Sequence, residues 1–593
     1  MQHKIDTNGG SVAFVDDYTA WVTGPSAEAN RAGIQAVIDR ALDWERRSGA
    51  QFEGDKTAII HFTRSKERSS ETPFTIKGDI VKPTENAKIL GVVMDCELRY
   101  KQHMARTAAK GLAAALALRR LKMLSPRTAR QLFVATVAPV MDYAANVWMH
   151  ACGEKALSWL NRAQKTGALA ITGAFRTVAT AVAEAEASIL TIRQRHAQGA
   201  AKLWVNMHTL PRTHPLGSMK TGRTMRFVSP LQKIACAMDE IQVDRMETIQ
   251  EYAIPPWEPR LQVTLEPDRK KAAEIANGVT GIVIATSSSV KKGIVGMGGS
   301  AQDTLFNRAG EAVTRYAVTL GTREEQNPYT AELAAIAMAL KIMPLGTIHR
   351  HITVITKSLS ALAVIQQPRQ QSGQSIIRQI YESAELLKQG GNSVDFIWIP
   401  AETDFALGSE AKAAAQSATK QRQAPDLQPH QAKSTTIRLA VAKQQQGRRL
   451  PEDVGKFSKA MDTALPGKHT RELYDKLKRR EASVLAQLRT GMTRVNGFLN
   501  RIGAAESDQC ACGHARETVK HFLLRCVRWT ALREDMLQCT TTRRGSLSFY
   551  LGGKAPSDPK QWSPDMKAVR AAIKYAMETG RLDQDEERPS QAQ

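Results

Sequence analysis

The stretch that most limits what this chain can fold into runs from Gly281 to Ile399. Gly281–Thr286, Gly293–Gly299 and Arg315–Leu320 read as three successive strands. Tyr329–Met343 then places Leu333, Ile336, Ala337 and Leu340 at three- and four-residue spacing, which is one apolar face of a helix. Ile352–Thr356 is a fourth strand, 358–366 and 375–389 are helices, and Val394–Ile399 is the last strand, with a helix after Gly408. The order β-β-β-α-β-α-α-β, closed by a helix, predicts an α/β domain over 271–420.

At 593 residues the chain is too long for one core, so several domains are expected. Lys and Arg number 82 against 58 Asp and Glu, a net charge of +24. Such an excess attracts polyanions, nucleic acid before an anionic membrane. The start, Met1-Gln2-His3-Lys4, shows no apolar signal region. The most apolar run, Leu132–Met149, holds Pro139 and Asp142 and reads as a buried helix. The expectation is an intracellular protein, nuclear or cytoplasmic, with no membrane partner.

Near the N-terminus, Ser11–Trp21 reads as a hairpin with Asp16 and Asp17 at its tip. Two acids there repel, and a divalent cation would offset the repulsion. Asp also caps turns with its own side chain, so the pair alone leaves both readings open. A helix over 26–48, a strand at Thr57–Phe62 and a buried strand at Ile89–Met94 follow. Long helices are expected at 101–124 and 127–150, the second capped by Ser125 with Pro126 at its first position, and a third at 154–173. Residues 210–270 read as a Pro-rich connector with a short helix near 231–251, and 421–450 as a flexible basic linker. Helical sequence follows in 451–555, and 556–593 reads as a loose tail.

Within that helical region lie Cys510, Cys512, His521 and Cys526. Three thiolates and an imidazole are a full tetrahedral set for Zn²⁺. His514 is a rival ligand. Three reduced cysteines in a small core beside an unrelated His is the other reading of the same residues.

Phe14-Val15-Asp16-Asp17 resembles the F/Y-x-D-D box of reverse transcriptases. Gly54–Phe62 and then Lys88–Asp95 follow it, and the three resemble, in order, the last palm motifs of polymerases from non-LTR retrotransposons, particularly the fungal Tad-like group. Tyr143–Trp148, Asn161–Gln164 and Ile171–Arg176 resemble the helical thumb and connection of such proteins, and the Cys/His cluster resembles their C-terminal zinc motif. The resemblance implies a partial palm over 1–100, a thumb over 101–209, an RNase H-like domain over 271–420 and a small helical zinc-knuckle region, an α/β and α multidomain architecture. It implies an RNA-directed DNA polymerase with ribonuclease H as the enzyme class, with RNA, an RNA–DNA hybrid or DNA as partner. Lys56 would lie near the incoming phosphates, or else be a solvated loop lysine. Lys110, Arg119, Arg120, Lys122, Arg127 and Arg130 would touch phosphates without reading sequence, or each be an exposed helix charge, and Lys291, Lys292 and Arg308 are candidate contacts of the RNase H-like domain.

Both catalytic sets depart from the family pattern. The palm needs a third carboxylate from an earlier strand. The few residues upstream of Asp16 do not offer it, since Asp6 is in the wrong context. Mg²⁺ at Asp16 and Asp17 is therefore expected only where an upstream polymerase fragment completes the palm, with no templated polymerisation by this chain alone. Of the four RNase H carboxylates, the first falls on Ser287, the helix acid on Glu332, the third on Lys357 and the last on Ala413. One acid survives, and Lys357 would repel a metal. Glu332 is then either a residual catalytic residue or a surface or capping glutamate. The chain is expected to be inactive alone: a nucleic-acid-binding protein, or a genomic relic.

Overall fold

A computed structural model describes residue 5 and residues 8–218, 228–250, 254–255, 257–305, 314–344, 346–420, 430–446 and 448–583. They divide into two compact units: residues 198–446, and those up to 197 together with those from 447 on.

The 198–446 unit is built on a six-stranded mixed sheet. In spatial order its strands are Thr314–Thr322, Ile294–Asp303, Ile282–Lys291, His351–Thr356, Ser393–Trp398 and Gln262–Leu265. The first three are antiparallel neighbours, and the remaining pairings are parallel. Alternation along each strand feeds two cores. Ile284, Val354 and Phe396 meet Leu333, Ile336 and Leu340 of the Pro328–Lys341 helix. Val283, Ala285, Ile355 and Ile397 meet Ala411 of the Ala406–Ala418 helix on the other face. That helix sits close because Gly296 and Gly298 carry no side chain; a Cβ on Gly298 would lie 2.4 Å from the Ala415 nitrogen.

Two segments read as connector and linker are structured. Gln262–Leu265 is the sheet's sixth strand, followed by the helix Arg269–Gly278. Four residues are too few to show a strand period, so parallel pairing to Ser393–Trp398 decides the matter. In the expected linker, Lys433–Gln445 is a helix, and 421–429 lie outside the described residues. Buried Glu247, from the connector, gathers both segments: it accepts from the Ser372 hydroxyl at 2.5 Å and from the Gly373 and Lys433 backbone N–H groups at 2.8 Å each.

The other unit is mostly helical. Helices Lys101–Arg120 and Glu154–Thr172 pack through small residues, with Ala115 and Ala163 fully buried around Phe133, Met141 and Trp148. Pro126–Ala151 is long and apolar enough to cross a membrane. It is not one regular helix, though: a π-turn at Phe133–Val137 and Ala144 at φ 50° break it. The expected helical sequence of 451–555 includes the helices His469–Asp475, Arg479–Thr490 and Asn496–Arg501. The expected loose tail contains the helix Met566–Glu578, whose Ala568, Val569, Ala572 and Ile573 are core residues; 584–593 lie outside the described residues.

In the N-terminal part, the described residues form three separate two-stranded hairpins: Gly9–Phe14 with Asp17–Val22, Phe74–Ile76 with Asp79–Val81, and Asn86–Ile89 with Val92–Asp95. Two strand expectations fail here. Thr57–Phe62 is irregular, and Ile89–Met94 is turned at Leu90 (φ 44°) and Gly91 (φ 84°), a tight hairpin bend that suits glycine.

Candidate metal centre and nucleic-acid interface

The tightest assembly of ligand atoms is at the C-terminal end. Among the described residues, Cys510, Cys512, His521 and Cys526 are the only group of three or more Cys, His or acidic side chains that converge, all ligand atoms lying within 4.8 Å of one another. The local chain explains the convergence. Cys510 and Cys512 sit on a knuckle: the Cys510 N–H donates to Ala515 O at 2.9 Å, and Gly513 N–H donates to Cys510 O at 2.9 Å with Gly513 at φ 77°. Thr518 caps the Val519–Leu524 helix that presents His521, and the helix ends as Cys526 N–H donates back to His521 O at 2.8 Å. His514 stays outside the cluster.

The set fits zinc. Cys510 and Cys526 sulfurs are 3.6 Å apart, and Cys512 Sγ is 3.3 Å from His521 Nε2. A tetrahedron with Zn–S near 2.3 Å has ligand atoms about 3.5–3.8 Å apart. Burial pushes the Cys510 thiol up to about 12, whereas the His514 backbone N–H holds Cys512 down. Sulfurs this close repel once deprotonated, and a dication between them removes the repulsion. Burial also lowers His521, keeping its imidazole neutral and free to ligate.

Glu332 is 5% exposed, so it is neither a surface nor a capping residue. Its Oε1 accepts from the Thr286 hydroxyl at 3.0 Å and the Thr356 hydroxyl at 2.7 Å. Ser287, the position matched to the first of the four acids, follows Thr286 on the strand and so belongs to its other face. Lys357 points elsewhere, donating to Ala401 O at 3.0 Å and Thr403 O at 3.2 Å. Ala413 is exposed, and Glu410 accepts from Ser300 at 2.9 Å and pairs with Arg315.

Burial raises the Glu332 pKa above its ordinary value, outweighing these hydrogen bonds. A raised carboxyl stabilises the fold while protonated, and that gain is lost as pH rises through the raised pKa. Glu332→Gln is therefore expected to leave the melting midpoint unchanged below about pH 4 and to raise stability on the order of 1 kcal/mol at alkaline pH. Thermal melts at the two pH values check it.

Asp16 and Asp17 are exposed at the first hairpin, with Val15 and Asp16 at the tip and Asp17 opening the second strand. No third carboxylate joins them among the described residues. Lys56 is exposed and paired with Glu53 at 2.6 Å. Arg119, Arg120, Lys122 and Arg127 are exposed around the turn after Lys101–Arg120, as is Lys110 earlier on that helix. Arg130 is the exception: it is buried, donates to Ala187 O at 2.7 Å and pairs with Asp475, so it holds the fold. Lys291 and Lys292 are exposed on the Ile282–Asp303 hairpin, and Arg308 lies outside the described residues.

No family model and no curated protein matches the chain. Among solved structures, LC11-RNase H1 in complex with an RNA/DNA hybrid is 16% identical, with a TM-score of 0.19, covering 23% of this chain and 96% of that one. RNase H1 from the halophilic archaeon Halobacterium salinarum is 14% identical at a TM-score of 0.19, covering 23% of this chain and 97% of the other.

Proposed function

We propose that this chain binds nucleic acid, RNA or an RNA–DNA hybrid foremost, and does not cut it. The observation that carries the reading is a zinc-competent Cys₃His knuckle on a chain of net charge +24. The knuckle would hold Zn²⁺ through Cys510, Cys512, His521 and Cys526, as a structural ion with no open position for chemistry. The exposed cations Arg119, Arg120, Lys122 and Arg127, and Lys291 with Lys292, would meet phosphates.

The sheet order of the 198–446 unit supports an RNase H-like domain, to which Gln262–Leu265 adds a strand. A two-metal nuclease needs converging carboxylates. Here the surviving acid, Glu332, is engaged by two threonine hydroxyls, and a lysine stands at another of the matched positions. The finer reading, a piece of a fungal Tad-like non-LTR retrotransposon reverse transcriptase, is supported by the order of the palm, thumb and knuckle motifs. On it, Asp16 and Asp17 would take Mg²⁺ with a third carboxylate supplied by another polypeptide.

The test is binding of the purified chain to an RNA–DNA hybrid, a hairpin RNA and duplex DNA across a salt series, with Mg²⁺ present. Affinity is expected to fall by about 10³–10⁵ between 50 and 200 mM salt if 6–10 phosphates are contacted. The hybrid is expected to emerge intact. Absence of binding refutes the reading. Metal-dependent cleavage of the RNA strand that disappears in Glu332→Gln refutes its non-nuclease half.

A further inference from the structure

One cavity of the mostly helical unit is not used by this reading. It measures about 430 Å³ and lies where the turn after Glu154–Thr172, the Asn496–Arg501 helix and residues 580–583 come together. Its floor is aromatic. The Phe175 and Phe498 rings lie 6.2 Å apart at 41°, and the Arg501 guanidinium stacks on Phe498 at 5.2 Å. It is open to solvent, with Ile502 at its edge 49% exposed.

Its rim is basic and only partly neutralised. Arg581 is held by Glu517, at 2.7 and 2.9 Å. Arg494 donates to a backbone oxygen, Asp583 O at 2.9 Å, and among the described residues neither it nor exposed Arg176 forms an ion pair. More positive charge crowds the same part of the unit. Arg176 repels partly buried Lys165, and Arg119 repels Arg479, which is itself fixed to Ala170 O and Ile171 O. Phe498 is buried at 4% exposure, so half-buried Phe175 is the ring that meets the opening. Cations without an ion-pair partner beside a partly accessible ring match the two halves of a nucleotide, phosphate and base. A duplex hides the faces of its bases, and a single strand offers them.

The cavity also adjoins the metal knuckle. Asn496 Nδ2 donates to Gln509 O at 2.7 Å, and Gly497 N–H donates to Glu517 O at 3.0 Å, so the wall carrying Phe498 is fastened to the chain that carries the cysteines.

We propose that this cavity is a binding site for single-stranded nucleic acid, seating a base against Phe175, which Phe498 backs from the core, with the adjoining phosphates on Arg176 and Arg494. The proposal rests on the nucleic-acid reading above and gives it a place on the surface.

The experiment uses the full, zinc-loaded chain and fluorescence anisotropy with a labelled short oligothymidylate, oligouridylate and a fully paired hybrid. The double variant Arg176→Ala with Arg494→Ala alters partly exposed side chains. It is expected to weaken single-strand binding about tenfold and to reduce the salt slope by about 1.4, at roughly 0.7 per lost phosphate contact. Phe175→Ala is expected to cost about tenfold as well, whereas Phe175→Trp keeps the stacking face and keeps the affinity. Zinc content is measured on each variant to show that the knuckle is intact. Hybrid affinity is expected to change less than twofold. Unchanged single-strand affinity in the double variant, while the parent chain binds, removes this site and leaves the broader reading standing. A parent chain that binds neither single strands nor duplexes removes both.

Discussion

Stripping the metal from the knuckle is expected to release about one zinc ion per chain and to lower the stability of the unit that holds it by about 4 kcal/mol, for free zinc a thousandfold above its dissociation constant. Small zinc fingers unfold outright without metal, because the ion supplies most of their folding free energy. This knuckle has more support. Its helix buries Val519, Phe522 and Leu523 in the same core as Ala572 and Tyr575, and the Tyr575 hydroxyl donates to Phe522 O at 2.7 Å. Chelation should therefore loosen the Cys510–Ala515 knuckle first and leave that core assembled, with a lower melting midpoint. Cys512→Ser should reproduce the loss of metal, while Cys539→Ser, outside the cluster, should bind zinc normally. A chromogenic zinc assay and hydrogen exchange over 505–527 check both outcomes. A midpoint that chelation leaves unmoved would mean that the cysteines only fill a core.

What the sequence disclosed follows from how local each feature is. The Pro328–Lys341 helix was readable because its apolar residues repeat every three or four positions and Asn327-Pro328 marks its start. The metal set was readable because its four ligands fall within 17 residues, Cys510 to Cys526. The surroundings of Glu332 were not, because Thr286 and Thr356 reach it from strands 46 and 24 residues away. The cavity escaped for a similar reason: Phe175 and Phe498 each look like ordinary core residues until the chain brings them together. Both readings of Arg130, phosphate contact and exposed helix charge, assume that an arginine lies outside, and that fails where a carboxylate and a carbonyl are supplied from afar.

Arg489 is the extreme of that failure, and Arg489→Met is expected to destabilise its unit by about 3–5 kcal/mol. The side chain is fully buried. Its Nε donates to Glu186 Oε2 at 2.7 Å, Nη2 to Asp462 Oδ2 at 2.7 Å, and Nη1 to Leu551 O at 2.7 Å. Glu186 and Asp462 are equally buried, so removing the cation leaves two carboxylates without their counter-ion in a site where each charge is costly. The Tyr474 hydroxyl, 3.0 Å from Glu186, and the His469 ring, 2.7 Å from Asp462, provide only part of the compensation. Burial alone would push the Asp462 carboxyl up, but His469 and Arg489 outweigh it and hold the group well below its usual range. A depressed carboxyl stabilises the fold above its unfolded pKa and loses that contribution as pH falls through its folded one, so the parent chain should weaken below about pH 4. In Arg489→Met the acid sensitivity should shrink, because protonating Asp462 then relieves part of the unpaired charge. Adding Glu186→Gln and Asp462→Asn to Arg489→Met should recover a large part of the loss at neutral pH. Since Glu186 and Arg489 are 303 residues apart in the chain, the opening should show in both flanking segments at once: faster hydrogen exchange over 180–187 and 479–490, by about 10²–10³-fold. Recovery in the triple variant would identify uncompensated charge as the cause; equal loss in the single and triple variants would identify lost packing instead.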